Sequence, residues 1–362
     1  MSSTGAFPRV MSGVQLVRHG GPEALVWNDA IPVRAPEADE VVVQVTGAGV
    51  NNTDINTRIG WYSSDVTAST DETLDATDID GGGWSGALPF PLVQGGDLCG
   101  IVVATGKAVT DLQIGMRVTC ATNQAIPTPE EPTKYRALGS ELDGAFAQYC
   151  TIEAKHLYDV SASPLSDQEI AAIPCAFGTA LNLLTRAGVA TGDRVLITGA
   201  SGGVGLAAVQ LAKVLNASVT GIASASKHTV VLGSGADYVI GRGETPTPRA
   251  YDVVIDVVGG GDWADFINAL RPGGRYAVSG AIAGPIVEAD LRVLYLNDIS
   301  VLGCTFQPRA VFSRLVELIN AGRIRPLISK TYPLAEIAQA QEDFGSKRYP
   351  GKLVLIPPQP QG

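Results

Sequence analysis

The run Val195-Leu196-Ile197-Thr198-Gly199-Ala200-Ser201-Gly202-Gly203-Val204-Gly205, continuing as Leu206-Ala207-Ala208-Val209-Gln210-Leu211-Ala212-Lys213, constrains the fold more than any other stretch of this chain. An apolar segment ends in small residues and a helical pattern begins at once. Strand, glycine turn and helix follow in the order that a dinucleotide-binding unit requires. Gly202 and Gly203, lacking Cβ atoms, let the backbone sit against a pyrophosphate, and Gly205 lets the helix pack closely on its strand. The helix N-terminus adds unpaired N–H groups and roughly half a positive charge. Ser201, Gly202, Gly203 and Val204 are therefore the candidate phosphate cradle. Ala200 stands where the first glycine of the G-x-G-x-x-G pattern is usual.

The downstream sequence supplies the rest of such a unit. Ala217–Ile222, Ala236–Ile240, Tyr251–Val258 and Gly274–Ser279 read as further strands, the last after a Pro-Gly-Gly turn. They alternate with helical patterns such as Trp263–Leu270, the signature of a parallel sheet covered on both faces. The expected class is α/β, a Rossmann doubly wound parallel sheet.

The segment before the glycine turn has another texture. Val14–Val17, Glu40–Gly47, Gly100–Thr105 and Met116–Thr119 are short strand-like runs separated by turn residues, which predicts a mostly β domain. Ser166 is placed as an N-cap with Glu169 closing a capping box, and Ala180–Ala187 and Ala310–Ala321 carry helical spacing. The terminal run Leu353–Ile356 is expected to return to the first domain. This gives a discontinuous β domain of residues 1–160 and 309–362, with a nucleotide domain of residues 161–308 inserted in it. Ser63–Phe90, with six acidic residues and no Lys or Arg, and Ala121–Gly144, with Pro127, Pro129 and Pro132, read as loops. Trp84, beside Gly81-Gly82-Gly83, is either a cover for a pocket or part of a solvated insertion.

Composition narrows the partners. A net charge of −10 among 362 residues argues against nucleic acid, which needs a basic face. No apolar run is long enough to span a bilayer, and Met1–Val10 has no signal-peptide pattern. Five cysteines without close pairs fit free thiols in a reducing compartment. The expectation is a cytoplasmic protein without membrane attachment, acting on a small molecule.

The order of segments resembles the medium-chain dehydrogenase/reductase superfamily, and within it the zinc-free quinone oxidoreductase branch. Gly47-Ala48-Gly49-Val50-Asn51-Asn52-Thr53-Asp54 with Arg58-Ile59-Gly60-Trp61-Tyr62 is similar to the family's first active-site segment. Gly95-Gly96-Asp97-Leu98-Cys99-Gly100 with Ile114–Val118 resembles the second, followed by Gly144–Tyr149 and Cys175–Ala180. Gly351-Lys352-Leu353-Val354-Leu355 resembles the closing strand. The resemblance implies a GroES-like catalytic domain beside the Rossmann domain. It also marks departures. Zinc-dependent members use Cys, His and Cys as ligands, and the matching positions here hold Asn51, Gly96 and Cys175. One thiolate cannot hold a catalytic zinc. Between Val118 and Gly144, where four cysteines would hold a structural zinc, only Cys120 stands. The three histidines fall elsewhere, and Cys175 reads as a small buried apolar residue. The chain is read as zinc-free.

The second strand ends Ile222-Ala223-Ser224-Ala225-Ser226-Lys227, with hydroxyls and a base where NAD enzymes usually carry an acid. Ser224, Lys227 and Arg242 thus favour NADPH, with NADH the alternative. By resemblance, Asn51 would hydrogen-bond substrate or ribose, Tyr62 would donate a proton or stack, and Thr179 would lie near the nicotinamide. Val257, Val258, Gly280, Ala281, Thr305 and Phe306 would pass the ribose and nicotinamide. Asn56 stands where some relatives carry Tyr, and Asp54 reads as a structural turn residue. The reading is an NADPH-dependent oxidoreductase that reduces a quinone or an α,β-unsaturated carbonyl without zinc, as a homodimer through the edge Asp298–Gly303. Its alternatives are a zinc-independent alcohol or carbonyl dehydrogenase and a nucleotide-binding protein without turnover.

Overall fold

β-Branched runs that alternate with turns, and others that alternate with helices, build two different kinds of sheet. The computed structural model describes residues 7–73, 84 and 86–359. Its described residues fall into two units, one drawn from Met1–Ser64, Leu74–Cys175 and Pro308–Gly362, the other from Asp65–Thr73 and Ala176–Gln307.

The first unit is mostly β. Strand β1 (Val10–Leu16) pairs antiparallel with β2 (Leu25–Pro32) and with the short β4 (Leu92–Val93). A larger sheet runs β10 (Leu157–Asp159), β6 (Arg117–Cys120), β5 (Cys99–Thr105), β3 (Glu40–Gly49), β18 (Lys352–Ile356) and β17 (Ile328–Pro333), with β9 (Tyr149–Glu153) also on β3. Val41, Val42, Val43 and Val45 of β3 are fully buried in its core, each worth about 1.5–3 kcal/mol of apolar burial. Helix α1 (Asn52–Arg58) follows β3 directly, and α3 (Asp167–Ala171), α9 (Arg309–Asn320) and α10 (Ile337–Gly345) complete the unit. The stretch expected to be loop at 121–144 contains a hairpin, β7 (Asn123–Ala125) with β8 (Tyr135–Ala137).

The unit boundary lies at Cys175/Ala176 rather than at residue 160. The cause is Arg117, whose guanidinium donates to the carbonyls of Val160 (2.9 Å), Ser163 (2.6 Å) and Leu165 (3.0 Å) and pairs with Asp167. That fan fixes residues 160–167 to the β sheet. Ser166 then caps α3, accepting from the Glu169 amide at 3.2 Å while its own N–H donates to Glu169 Oε2 at 2.8 Å.

The second unit is a six-stranded parallel sheet: β11 (Arg194–Ile197), β12 (Ser218–Ala223), β13 (Tyr238–Gly241), β14 (Tyr251–Asp256), β15 (Leu270–Val278) and β16 (Ser300–Gly303). Their order is β13-β12-β11-β14-β15-β16. It reverses between β11 and β14, which makes their carboxyl ends the topological switch point of a doubly wound fold. The helices are α4 (Pro174–Arg186), α5 (Gly203–Val214), α6 (His228–Gly233), α7 (Trp263–Ala269) and α8 (Leu291–Leu296). Residues 65–73 join this unit through α2 (Thr70–Thr73), with the Thr70 N–H donating to Ile282 O at 3.1 Å. Among the described residues no helix is long and apolar enough to cross a membrane.

Candidate active site

The turn after β11 opens directly into α5, with Gly202 as its N-cap. A Cβ on Gly205 would meet Gly199 O at 2.2 Å and Ala200 Cα at 2.6 Å. Helix and strand can approach this closely only with glycine there. Ala200 is tolerated because Gly221 on β12 makes room: a Cβ at Gly221 would lie 2.8 Å from that of Ala200. Gly202 is exposed and Gly203 and Val204 are half-buried at the helix start, with Ser201 buried beneath them. The amide face is thus open to an anion.

A buried carboxylate that the sequence reading missed organises this end of the sheet. Asp256, at the end of β14, accepts from Thr198 Oγ1 at 2.6 Å, Val258 N at 2.8 Å and Gly259 N at 3.1 Å, and from the Tyr276 hydroxyl. Burial and this carboxylate push the Tyr276 phenol pKa up. The signal was an acid inside the valine run 253–258. Val257, Gly280 and Ala281 do come together here: a Cβ on Gly280 would meet Val257 O at 2.7 Å, and one on Gly259 would lie 3.0 Å from Ala281 Cα. Ser224 and Arg242 leave the ends of adjacent strands, whose register pairs Ala223 with Gly241. The Arg242 N–H donates to Ala223 O at 3.1 Å, and the Arg242 side chain is exposed. Lys227 closes the short 3₁₀ turn that Ser224 begins. On α4, Asn182 donates to Phe306 O at 3.1 Å and Gly178 abuts Gln307, which places Thr179 on the turn facing that segment.

In the first unit, Asn51 enters a polar cluster in which every member is buried. Its Nδ2 donates to Asp97 Oδ2 at 2.9 Å and approaches Gly49 O at 3.4 Å, and its Oδ1 accepts from Lys352 Nζ. The Asn51 N–H donates to Asp54 Oδ2 at 2.8 Å. Both carboxamide hydrogens are directed to Asp97 and Gly49, so neither is left for the hydrogen bond to substrate or ribose expected of Asn51. Burial raises the Asp54 pKa to about 7, against the lowering effect of the Asn51 amide. Asp97 Oδ1 accepts the Cys175 N–H at 2.6 Å. Cys175 is half-buried rather than a core residue. A Cβ on Gly96 would lie 2.7 Å from Thr122 Cγ2, so a larger side chain here would have to displace that methyl group. In the sequence Asp97 and Lys352 stand out only as parts of motifs; a lysine opening an apolar strand is the available signal.

An aromatic cluster stands in the same unit. Tyr62 meets Trp61 and Trp84 at 5.6 and 5.8 Å between centroids, and Trp84 meets Tyr135 at 5.9 Å. Thr53 Oγ1 accepts from the Tyr62 hydroxyl (3.1 Å) and from Trp84 Nε1 (2.7 Å). With its hydroxyl committed and its pKa raised by burial, Tyr62 is arranged to pack or stack rather than to give up a proton. Trp84 and Tyr135 come from the two stretches read as loops. Gly81, Gly82 and Gly83, the expected hinge, lie outside the described residues.

A parallel sheet with a glycine turn at its switch point, joined to a GroES-like β unit, defines a class of two-domain dinucleotide enzymes. Family profiles agree: residues 37–162 match an alcohol dehydrogenase GroES-like domain and residues 234–355 a zinc-binding dehydrogenase domain. An acryloyl-coenzyme A reductase of Metallosphaera sedula is 31% identical over 74% of this chain and 84% of its own length. A quinone oxidoreductase of Lama guanicoe is 29% identical over 96% of this chain and 98% of its own. A solved structure described as a putative alcohol dehydrogenase from Sinorhizobium meliloti 1021 superposes with a TM-score of 0.86 at 38% identity, covering 97% of this chain and 98% of that one. The chain belongs to the medium-chain dehydrogenase/reductase superfamily, in its quinone oxidoreductase-like branch, and is an oxidoreductase of that family.

Proposed function

We propose that this protein transfers hydride from NADPH to a quinone or an α,β-unsaturated carbonyl without zinc. The observation that carries the reading is the donor set at the three zinc-ligand positions. Asn51 already accepts a lysine ammonium there, Gly96 offers no side chain, and Cys175 supplies one thiol. A catalytic zinc needs three protein ligands, so these residues do not fit the metal. An alkoxide then has no Lewis acid to meet it, whereas a conjugated acceptor spreads incoming charge onto its own oxygen.

Bound NADPH would supply the hydride from nicotinamide C4. The amides of Gly202, Gly203 and Val204 would hold its pyrophosphate, and Ser224, Lys227 and Arg242 would meet the 2′-phosphate. Val257, Gly280 and Ala281 leave backbone close at the switch point to pass the ribose. In the other unit, the aromatic cluster of Tyr62, Trp84 and Tyr135 would supply contact to a planar acceptor, and the committed Tyr62 hydroxyl leaves protonation to solvent. The buried thiols of Cys99, Cys120, Cys150 and Cys304 support a reducing cytoplasmic setting.

A second reading, a zinc-independent alcohol or carbonyl dehydrogenase, draws on the likeness to the Sinorhizobium meliloti structure. One experiment separates them. Nicotinamide absorbance is followed with NADPH and NADH against 1,4-benzoquinone, 2-cyclohexenone and a saturated aldehyde, with and without chelator. Turnover of the first two with NADPH, unchanged by chelator, is expected. Chelator-sensitive activity restored by zinc would sink the zinc-free reading, and turnover of the aldehyde alone would favour the second.

A further inference from the structure

Lys352 is the least expected residue in the fold. It opens β18, yet its side chain is only 3% exposed, and that of its partner Asp97 is fully buried. Its ammonium has three hydrogens and finds three acceptors: Val50 O at 3.0 Å, Asp97 Oδ2 at 2.9 Å and Asn51 Oδ1. These acceptors lie 302, 255 and 301 residues away in sequence. A buried ammonium is tolerated only when paired and fully hydrogen-bonded, and this one is.

The reach of that cation covers all three positions where metal-dependent relatives would place ligands. Asn51 binds it directly. Asp97, the neighbour of Gly96, binds it through one carboxylate oxygen and holds the Cys175 amide with the other. Asp54 sits close enough for its charge to feel both Lys352 and Asp97. One positive centre therefore draws the end of β3, the Gly95–Cys99 segment and the start of α4 together.

We propose that the Lys352 ammonium is the positioning cation of this site, ordering through Asp97 and Asn51 the segments that a metal ion would otherwise order. Unlike a metal it has no vacant coordination position, so it orients groups without polarising a substrate oxygen. That restricts the enzyme to acceptors that stabilise their own charge. The inference rests on the zinc-free reading above, and its test separates the two.

Lys352→Ala removes the ammonium and leaves space for a small amine. With NADPH and 1,4-benzoquinone, kcat is expected to fall at least tenfold while the KM for NADPH, which binds the other unit, changes less than twofold. Ethylammonium should restore kcat at least fivefold, and tetramethylammonium, which has the charge but no N–H, should not. Ethylammonium should also raise the melting temperature of the variant in a saturable way and leave the wild type unmoved, a readout independent of turnover. Wild-type kcat in the variant, or a loss on which ethylammonium acts in neither assay, overturns the proposal. Should Lys352→Ala not fold, Lys352→Met combined with Asp97→Asn removes both charges at similar volume. It is expected to fold and bind NADPH yet turn over at least tenfold more slowly, and wild-type turnover there is equally fatal. Chelator sensitivity of the wild type counts against the zinc-free reading, whereas failed amine rescue in a chelator-insensitive enzyme counts against Lys352 alone.

Discussion

The Thr198 hydroxyl donates to Asp256 Oδ1 at 2.6 Å, fastening the end of β11 to the end of β14 where the strand order reverses. The same oxygen gathers the Val258 and Gly259 amides, so one buried carboxylate shapes the floor of the proposed cofactor site. Thr198→Val removes that bond and the one the hydroxyl accepts from the Val257 N–H at 3.1 Å, and should cost about 1–3 kcal/mol, while Asp256→Ala strands several buried donors and should cost about 3 kcal/mol or more. Urea unfolding measures both. Thr198→Val should also weaken NADPH binding several-fold by fluorescence titration. An unchanged Kd would show that the bond serves the fold alone.

Coenzyme choice is argued from the ends of β12 and β13. Ser224 begins the turn after β12, and Arg242 is bonded through its backbone to Ala223. Ser224→Asp sets a carboxylate where a 2′-phosphate would lie, and Arg242→Ala removes an exposed cation. Each is expected to lower kcat/KM for NADPH about tenfold, equivalent to about 1.4 kcal/mol, with NADH little changed. Equal losses for both coenzymes would place these residues outside the phosphate site.

Elements whose identity depends on local pattern were legible in the sequence. The alternation of β-branched runs with helices yields the parallel sheet, and Ser166 with Glu169 yields the cap of α3. Gly205 could be read because close packing leaves no alternative to glycine. What sequence did not disclose depends on distant partners. Lys352 reads only as part of a closing strand until Val50, Asn51 and Asp97 surround it. Asp256 reads as a strand residue until Thr198 and Tyr276 reach it. The boundary moved to Cys175 because Arg117, on β6, binds carbonyls more than forty residues downstream. The β7–β8 hairpin escaped notice because its strands are three residues each and flanked by prolines.

Trp84 and Tyr135 bring the two long insertions into one aromatic cluster with Tyr62. Aromatic contacts of this kind are worth about 0.5–1.5 kcal/mol each beyond their buried area. Trp84→Ala should therefore raise the KM for 1,4-naphthoquinone about three- to tenfold while changing that for a short acyclic enone much less. Parallel changes for both acceptors would mean that Trp84 only supports the fold.

The edge of the parallel sheet carries an exposed apolar face: Leu291, Tyr295 and Leu296 on α8 are 65–69% exposed, and Val301 on β16 is 47% exposed. An unpaired edge strand beside such a face is a template for a second copy of the same strand. Sedimentation should give a dimer for the wild type, and Val301→Lys with Leu296→Glu should give a folded monomer. A monomeric wild type ends the idea.

Asp54 supplies a pH dependence opposite to that of most native carboxylates. Burial, reinforced by the nearby Asp97 charge, lifts its pKa from 3.8 to about 7 in the fold. Between those values the native chain holds a proton that the unfolded chain has released. Stability from this group is thus fully present below about pH 4 and is lost as pH rises through 7. The whole effect amounts to a few kcal/mol at most, from about 1.4 kcal/mol for each pKa unit. Asp54→Asn cannot ionise, yet it keeps an oxygen for the Asn51 amide. The stability of the wild type relative to Asp54→Asn, from urea unfolding at intervals from pH 4.5 to 8, should therefore decline as pH rises. A constant difference would mean that Asp54 is already ionised in the fold at pH 5, with Lys352 and the Asn51 amide outweighing its burial.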